Sequence, residues 1–402
     1  MRRSFALVAL AVALTCGAAQ AQNKTIKIGV LSDMSSLYAA IGGPGSVVAA
    51  KMAVEDSGVE KKGLKVEILS ADHQNKPDIG ASVVRHWIDV DHVDAIADTP
   101  TSSVALAVSQ VVKEKNKVFL ISGAGSSDLT GKACSPNNVH WTYDTWALAH
   151  GTGKAIVESG KKTWFFLTAD YAFGHALERD TAAVVKANGG KVLGTVNVPF
   201  PATDFSSFLL QAQASKAQVI GLANAGGDTI NAIKQAHEFG IVKGGQSLAG
   251  LLVFVTDVHS LGLETSQGLL FTTAYYWDRN DASRNFGKRF AKQHNGAMPT
   301  MVQAGVYSSV LAYLKTVAAM GGKADDGKAV MDKMKSKPID DPLFGKVTIR
   351  PDGRAIHDMY LVEVKKPSES KGAWDYLHIR ATIPAKEAFR PLNEGGCPLV
   401  KG

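Results

Sequence analysis

Cysteine is scarce in this sequence, with three residues among 402. So few thiols exclude a small fold held together by many disulfides, and no Cys/His spacing typical of a zinc site occurs. A strong charge of one sign is also lacking, since Lys and Arg number 44 against 37 Asp and Glu, and no long basic run is present. The composition therefore gives no indication of nucleic-acid binding, and we expect neither a metal nor a cofactor.

Long apolar runs are lacking except at the N terminus. Met1, Arg2 and Arg3 precede an apolar run over 5–15, and residues 19–21 (Ala-Gln-Ala) place small side chains before a cleavage position. This pattern predicts a signal peptide over residues 1–21, an exported mature chain and no membrane span after it. Cys16 is an alternative lipidation site, although residues 13–15 fit the usual motif poorly.

Removal of the signal peptide leaves Cys134 and Cys397 as the only thiols. An oxidising compartment favours their pairing, so we predict a disulfide between them. The alternative is two buried free thiols.

The length predicts two domains, because a single compact core rarely grows to this size. Short β-type runs and amphipathic helices alternate in two successive series from Thr25 onwards, which predicts an α/β fold with parallel sheets flanked by helices. An apolar segment over 248–255 ends the second series, and a solvated loop of disordered character is predicted over 365–372. The expected strands lie at 26–31, 65–69, 95–97, 118–121, 163–168, 191–198 and 218–223.

Motifs for catalysis are missing. The glycines at 42–45 lie about ten residues after the first predicted strand and lack the third glycine of a dinucleotide-binding loop, so they are better explained as a helix start. Neither 123–127 nor 245–249 completes the G-x-S-x-G sequence of a serine hydrolase. We therefore expect no catalytic residue and no enzyme.

Polar residues follow two neighbouring predicted strands, at 99–103 and 122–127. Hydroxyl groups and the free N–H groups of a helix start together suit an anion such as a carboxylate. The alternative is that these serines and threonines only cap helices.

Several segments, taken in order, resemble one known family. They are 28–35 (IGVLSDMS), 101–103 (TSS), 121–130 (ISGAGSSDLT), 170–174 (DYAFG) and 267–270 (QGLL). Together with the export signal, they are similar to the leucine/isoleucine/valine-type periplasmic binding proteins of ABC importers.

The resemblance implies two α/β lobes joined by three crossovers, near Tyr143, Tyr275 and Arg350, that close on a small solute. The lobes are then expected at 22–142 plus 276–349 and at 143–275 plus 350–402. The resemblance further implies a periplasmic, monomeric protein that passes its solute to a membrane permease.

The resemblance also implies a set of ligand-binding residues. Thr101, Ser102 and the loop at Ala124, Gly125 and Ser126 match positions that hold a carboxylate in the amino-acid binders of the family. Two positions that hold polar aromatic residues in those amino-acid binders are Phe173 and Ala225 in this sequence. Asp257 matches the acidic residue that pairs with the ligand's ammonium group, but only if a gap is placed in the alignment. The remaining candidates at the edge of the cleft are Ser35, Tyr38, Ile41 and Tyr143.

These residues favour a carboxylate solute with an apolar or aromatic body, because a buried ammonium without an acidic partner is costly. A branched-chain or other amino acid is the alternative ligand. A periplasmic sensor of the same fold is the alternative function, and an exported hydrolase is a third.

Overall fold

The computed structural model describes residues 25–401. The predicted signal peptide and Cys16 lie outside the described residues.

The first lobe contains a five-stranded parallel sheet in the order β2-β1-β3-β4-β5. Its strands are β1 Thr25–Ser32, β2 Lys65–Asp72, β3 Ala95–Asp98, β4 Val118–Ile121 and β5 Asn138–His140. The intervening helices are α1 Gly43–Ser57, α2 Pro77–Asp89 and α3 Ser102–Glu114. Strands β3 and β4 are buried throughout, as expected for a parallel sheet covered on both faces.

The second lobe contains a four-stranded parallel sheet in the order β7-β6-β8-β9. Its strands are β6 Thr163–Ala169, β7 Lys191–Val198, β8 Val219–Ala223 and β9 Ser247–Gly250. Its helices are α4 Thr145–Leu148, α5 Lys154–Glu158, α6 Ala172–Ala187, α7 Ser206–Ala214, α8 Gly227–Glu238, α9 Val255–Leu261 and α10 Leu263–Ser266. Each lobe therefore repeats the predicted alternation of strands and helices.

The chain after α10 returns to the first lobe and then leaves it again. This part comprises β10 Leu270–Thr273, α11 Asp281–Gln293, α12 Met301–Ala319, α13 Gly327–Lys335, β11 Ile339–Asp341, β12 Gly345–Ile349, β13 Ala355–Ile356, β14 Met359–Val364, β15 Leu377–Ile383 and α14 Ala385–Ala388. Strands β10, β14 and β15 form one antiparallel sheet, and β11, β12 and β13 form another. Helix α12 packs along α1, where Gln303 Nε2 donates to the Gly42 carbonyl at 3.1 Å.

The polypeptide passes between the lobes three times, after β5, after β10 and between β13 and β14. This arrangement confirms the predicted two-lobe architecture with three crossovers. The crossovers follow 140, 273 and 356, in the regions of Tyr143, Tyr275 and Arg350.

Helices α4 and α5 are joined by a π-helical turn at Ala149–Gly153, where a Cβ on Gly151 would lie 2.1 Å from Thr272 Oγ1. One local prediction was wrong. The loop over 365–372 is ordered rather than disordered, because Lys365 pairs with Asp375 and the Lys371 N–H donates to Asp375 Oδ2 at 2.8 Å. The polar composition of this segment therefore gave no sign of the ion pair that holds the loop.

The C-terminal segment packs against the first lobe. Cys134 and Cys397 form a disulfide, which confirms the predicted pairing. Near it, Arg390 Nη2 donates to the Ser127 carbonyl at 3.0 Å. The expected division places the segment after α14 in the second lobe, but this segment contacts the first lobe. The exact lobe boundaries stay a prediction.

Candidate functional site

A cavity lies between the carboxyl ends of the two parallel sheets. In open α/β sheets this edge is the usual ligand site, because the loops that follow the strands converge there. The lining residues come from loops after β1, β3, β4, β6, β8 and β9 and from the first crossover: Tyr38, Ile41, Pro100, Gly123, Tyr143, Tyr171, Phe173, Ala225, Leu252 and Phe254.

The space inside the cavity is narrow. About 230 Å³ of space between these side chains is free of atoms, but the centre of a water-sized sphere can reach only about 10 Å³ of it. That reachable space is about what one water molecule needs. A solute therefore enters only if the lobes or the side chains move apart.

The mouth of the cavity is closed by rings from both lobes. The Tyr38 hydroxyl of the first lobe and the Tyr171 hydroxyl of the second lobe are hydrogen-bonded at 2.6 Å. Phe200 stacks on Tyr171 with ring centroids 4.1 Å apart and lies 5.8 Å from the ring of Tyr38. The same contact continues along the backbone, where the Gly227 N–H donates to the Leu37 carbonyl at 3.3 Å.

The inner end of the cavity is formed by Tyr143 and Phe173. The Tyr143 hydroxyl donates to the Gly123 carbonyl at 2.5 Å, so its only hydrogen is used within the first lobe. A Cβ on Gly125 would lie 2.8 Å from the ring of Phe173 and 2.9 Å from the ring of Tyr143. Glycine at 125 thus allows the loop after β4 to touch both rings.

The predicted carboxylate loop is held by Ser102, the first residue of α3. Ser102 Oγ accepts hydrogen bonds from the N–H groups of Gly125 at 3.2 Å and Ser126 at 3.1 Å. The Ser102 hydroxyl oxygen is thus the acceptor for both backbone amides. The first N–H groups of α3, which have no partner within the helix, are adjacent to this arrangement.

The other hydroxyls predicted for this site have partners of their own. Ser126 Oγ accepts from the Asp128 N–H at 3.3 Å and caps a short helical turn. Thr101 donates to Asn75 Oδ1. The carbonyl of Ala124 is bonded to the imidazole of His140 at 2.6 Å. The predicted alternative of capping therefore describes Ser126, whereas Ser102 organises the loop.

Of the twelve predicted ligand-binding residues, five line the cavity: Tyr38, Ile41, Tyr143, Phe173 and Ala225. Two others do not line it. Ser35 is exposed and donates to Asp72 Oδ2 at 2.7 Å. Asp257 Oδ2 accepts from the Phe254 N–H at 2.9 Å and caps α9.

Five lining residues are absent from the predicted set, namely Pro100, Gly123, Tyr171, Leu252 and Phe254. Of these, Pro100 and Gly123 lie within the polar segments 99–103 and 122–127. Tyr171 lies two residues after the end of β6. An aromatic residue at the carboxyl end of a predicted strand was the signal that could have identified it.

Three buried carboxylates surround the cavity without lining it. Burial raises the pKa of Asp98 to about 6, while a hydrogen bond from Ser32 opposes the shift. Burial likewise raises the pKa values of Asp228 and Asp257 to about 7. None of the ten described residues lining the cavity is charged. Within the described part of the chain, no group of His, Cys, Asp and Glu could hold a metal ion.

A polar cluster connects the lobes beside the predicted carboxylate loop. Ser127 Oγ and Thr145 Oγ1 both donate to Asp180 Oδ2, at 2.7 and 2.6 Å. Arg179 donates to Ser127 Oγ at 2.8 Å and pairs with Asp128 at 3.2 Å. Because Arg179 and Asp180 belong to α6, this cluster links the loop after β4 to the second lobe.

Comparison with known proteins agrees with this architecture. The family model described as periplasmic binding protein matches residues 25–373. The chain belongs to this family. A crystal structure of a periplasmic binding protein from Burkholderia mallei is 55% identical, with a TM-score of 0.91 over 94% of this chain and 100% of that one. Among the described residues, no helix is long and apolar enough to cross a membrane.

Two further relatives carry more specific names. A branched-chain amino acid ABC transporter periplasmic ligand-binding protein from Burkholderia xenovorans is 41% identical, with a TM-score of 0.82 over 93% of this chain and 99% of that one. A Leu/Ile/Val-binding protein homolog from Brucella melitensis is 26% identical over 91% of this chain and 94% of its own length. The chain is therefore a periplasmic binding protein whose relatives are solute-binding proteins of the Leu/Ile/Val type.

Proposed function

We propose that this periplasmic binding protein captures a small carboxylate solute with an apolar or aromatic body and delivers it to the permease of an ABC importer. The observation that carries the proposal is the lining of the cavity, in which five aromatic rings and no charged side chain face the enclosed space. Burial of an apolar body against such rings is favourable, whereas an ammonium group would be left without a partner.

The carboxylate would bind at the end formed by Pro100 and Gly123. Pro100 precedes the start of α3, whose first N–H groups and positive dipole end favour an anion. Ser102 holds the N–H groups of Gly125 and Ser126 together. With both amides held in this way, the Ser102 hydroxyl would donate its own hydrogen to a carboxylate oxygen.

An amino acid of the Leu/Ile/Val type is the alternative solute, and the name of the Burkholderia xenovorans relative favours it. The position of Asp257 favours a carboxylate solute without an ammonium group over an amino acid. Its carboxylate is used to cap α9 and does not line the cavity, so it does not offer an ammonium group a partner there.

Proteins of the same fold can hold aromatic acids. A solute-binding protein of an ABC transporter from Rhodopseudomonas palustris, in complex with benzoate, shares the fold at 20% identity. At that identity the likeness concerns the fold alone, so the proposal rests on the lining of this cavity.

The mechanism is binding without turnover. The solute docks on one lobe, and closure of the other lobe about the three crossovers buries it, driven by the higher affinity of the closed state. The closed form then docks on the permease. A periplasmic sensor would use the same closure but would report to a receptor instead.

A thermal-shift panel tests the proposal. The purified mature protein is heated with benzoate, 4-hydroxybenzoate, 3-phenylpropanoate, leucine or valine, each at saturating concentration. An aromatic acid should stabilise the protein, by about 2.7 kcal/mol at a concentration one hundred times its Kd. Stabilisation by leucine or valine but by none of the acids would overturn the proposal.

A further inference from the structure

Two tyrosine hydroxyls meet at the mouth of the cavity, and they carry one hydrogen more than their shared bond uses. Tyr38 and Tyr171 are joined by a single O–H···O bond of 2.6 Å. Each hydroxyl has one hydrogen, so one of the two donates to the other tyrosine and the second has to go elsewhere.

Both hydroxyls remain protonated. Burial, together with the nearby carboxylate of Asp228, raises the pKa of Tyr38 and of Tyr171 above that of free tyrosine. Asp228 does not take up the second hydrogen, because its Oδ1 accepts from the Ala202 N–H at 3.1 Å and its buried Oδ2 has no hydrogen-bond partner. In the described part of the chain, neither tyrosine hydroxyl has a second protein partner.

The second hydrogen belongs to one of two side chains that line the cavity. Tyr38 is 2% exposed and Tyr171 is half-buried. A buried O–H that finds no acceptor is costly, so a solute that brings an acceptor to this point gains affinity over one that does not.

The tyrosine pair is also separate from the proposed carboxylate end. Tyr38 follows β1, whereas Gly123 follows β4, and β3 lies between these strands in the sheet. Two strand spacings, roughly 10 Å, separate the strands from which these two loops start. A single small solute can therefore contact both ends only if it has polar groups at opposite ends of its apolar body.

We infer that the Tyr38–Tyr171 pair selects solutes carrying a hydroxyl or carbonyl oxygen at the end remote from the carboxylate. The solute class is then a hydroxylated or oxo-substituted aromatic acid in preference to the unsubstituted acid. This inference rests on the proposed function, because it assumes a carboxylate at the opposite end of the cavity.

Matched ligand pairs test the inference by isothermal titration calorimetry on the full mature chain. The probes are benzoate against 4-hydroxybenzoate, and 3-phenylpropanoate against 3-(4-hydroxyphenyl)propanoate. In at least one pair, the hydroxylated acid should bind the natural protein about tenfold more tightly, because it removes an unsatisfied donor.

The double variant Tyr38→Phe/Tyr171→Phe removes both hydroxyls and keeps the rings that pack with Phe200. Its preference should fall to within about twofold, since the hydroxylated acid loses a partner and the unsubstituted acid no longer leaves a donor unpaired. The single variants show which hydroxyl faces the solute.

Tyr143→Phe is the matched control. It removes a hydroxyl from the same cavity, but one whose hydrogen already goes to the Gly123 carbonyl. It should change the affinities for both members of a pair by a similar factor.

Three outcomes would count against the inference. Equal affinity for both members of each pair in the natural protein would overturn it and leave the proposed function intact, as would an unchanged preference in a folded double variant. If no acid binds and leucine does, the proposed function itself fails, and the inference with it. The comparison in the natural protein needs no variant, so a double variant that fails to fold does not remove the test.

Discussion

Ser127 Oγ of the first lobe donates to Asp180 Oδ2 of the second lobe across a distance of 2.7 Å. Ser127 follows directly on the loop at Ala124, Gly125 and Ser126, and Asp180 lies on α6. The hydrogen bond therefore ties the closed position of the second lobe to the loop that is proposed to hold the carboxylate.

Removal of this bond should favour the open form. In Asp180→Asn, the single remaining oxygen can accept either from Ser127 and Thr145 or from Arg179, but not from all three. The charge is lost as well, and a hydrogen bond to a charged group contributes about 1.5–3 kcal/mol. We expect the affinity for benzoate to fall by about tenfold or more in calorimetric titration. Glu178→Gln is the control, because Glu178 lies on the same helix but accepts from Thr168 and Thr195 within the second lobe. Equal losses in both variants would show that the bond between the lobes has no special role.

Gly226 permits the close approach of the lobes. Its φ is +56°, and a Cβ there would lie 2.7 Å from the Leu37 carbonyl oxygen and 2.9 Å from the ring of Tyr38. Gly226→Ala should therefore hinder closure and reduce solute affinity by more than about tenfold. Gly240 has a similar φ of +67° with no atom within 4 Å of such a Cβ. Gly240→Ala should lose some stability from backbone strain but keep the affinity.

Ser102→Ala separates the role of the loop from that of capping. Without the hydroxyl, the N–H groups of Gly125 and Ser126 lose their acceptor, at a cost of about 1–3 kcal/mol in unfolding free energy. Ser126→Ala removes a cap instead, at a cost of about 0.5–2 kcal/mol. We expect Ser102→Ala to weaken benzoate binding more than Ser126→Ala does. Urea unfolding measures the two losses of stability, and calorimetry measures the benzoate affinities. A larger loss of benzoate affinity in Ser126→Ala than in Ser102→Ala would contradict the placement of the carboxylate beside Ser102.

The Cys134–Cys397 disulfide fixes the C-terminal segment to the first lobe across 263 residues of sequence. Loss of a native disulfide typically costs about 2–5 kcal/mol. The double variant Cys134→Ser/Cys397→Ser should therefore unfold at lower urea concentration, and a reducing agent should have the same effect on the natural protein but none on the variant. Two reactive thiols in the denatured, unreduced mature protein would show that the pair is not formed.

The buried carboxyl group of Asp228 makes stability depend on pH. Its pKa is raised to about 7 in the folded protein, against about 3.9 in an unfolded chain. Between these values the folded state binds more protons, so the contribution of this group to the unfolding free energy falls as pH rises to about 7. Asp228→Asn keeps an acceptor for the Ala202 N–H and removes the titration. The variant should thus gain stability relative to the natural protein between pH 5 and pH 8, measured by urea unfolding.

Asp332→Asn is the control for this experiment, since Asp332 is an exposed residue that pairs with Lys328. Its stability relative to the natural protein should be the same at both pH values. A gain no larger in Asp228→Asn than in this control would contradict the buried charge at Asp228.

The alternation of strands and helices made the fold predictable, because most of the parallel strands here are short apolar runs followed by a polar loop. Helix α13 was not anticipated, since its sequence is short and rich in lysine. The break between β9 and α9 was hidden as well, because the apolar run over 248–255 continues through both.

The site was only partly predictable for a different reason. Tyr38, Tyr143 and Phe173 could be placed in the cleft from their positions after strands and at a crossover. Whether a hydroxyl is free to bind a solute depends on partners far away in the sequence. Asn75, for example, accepts a hydrogen bond from the Thr101 hydroxyl, and no local sequence pattern reveals this contact. Asp257 shows a different limit, since its carboxylate is held by the Phe254 N–H only three residues earlier.

A calorimetric titration of the mature protein with 4-hydroxybenzoate and, separately, with leucine tests the proposed function most directly. We expect saturable binding of the aromatic acid with one site per chain and much weaker binding of leucine. Tight binding of leucine together with no heat from the aromatic acid would contradict the proposed function.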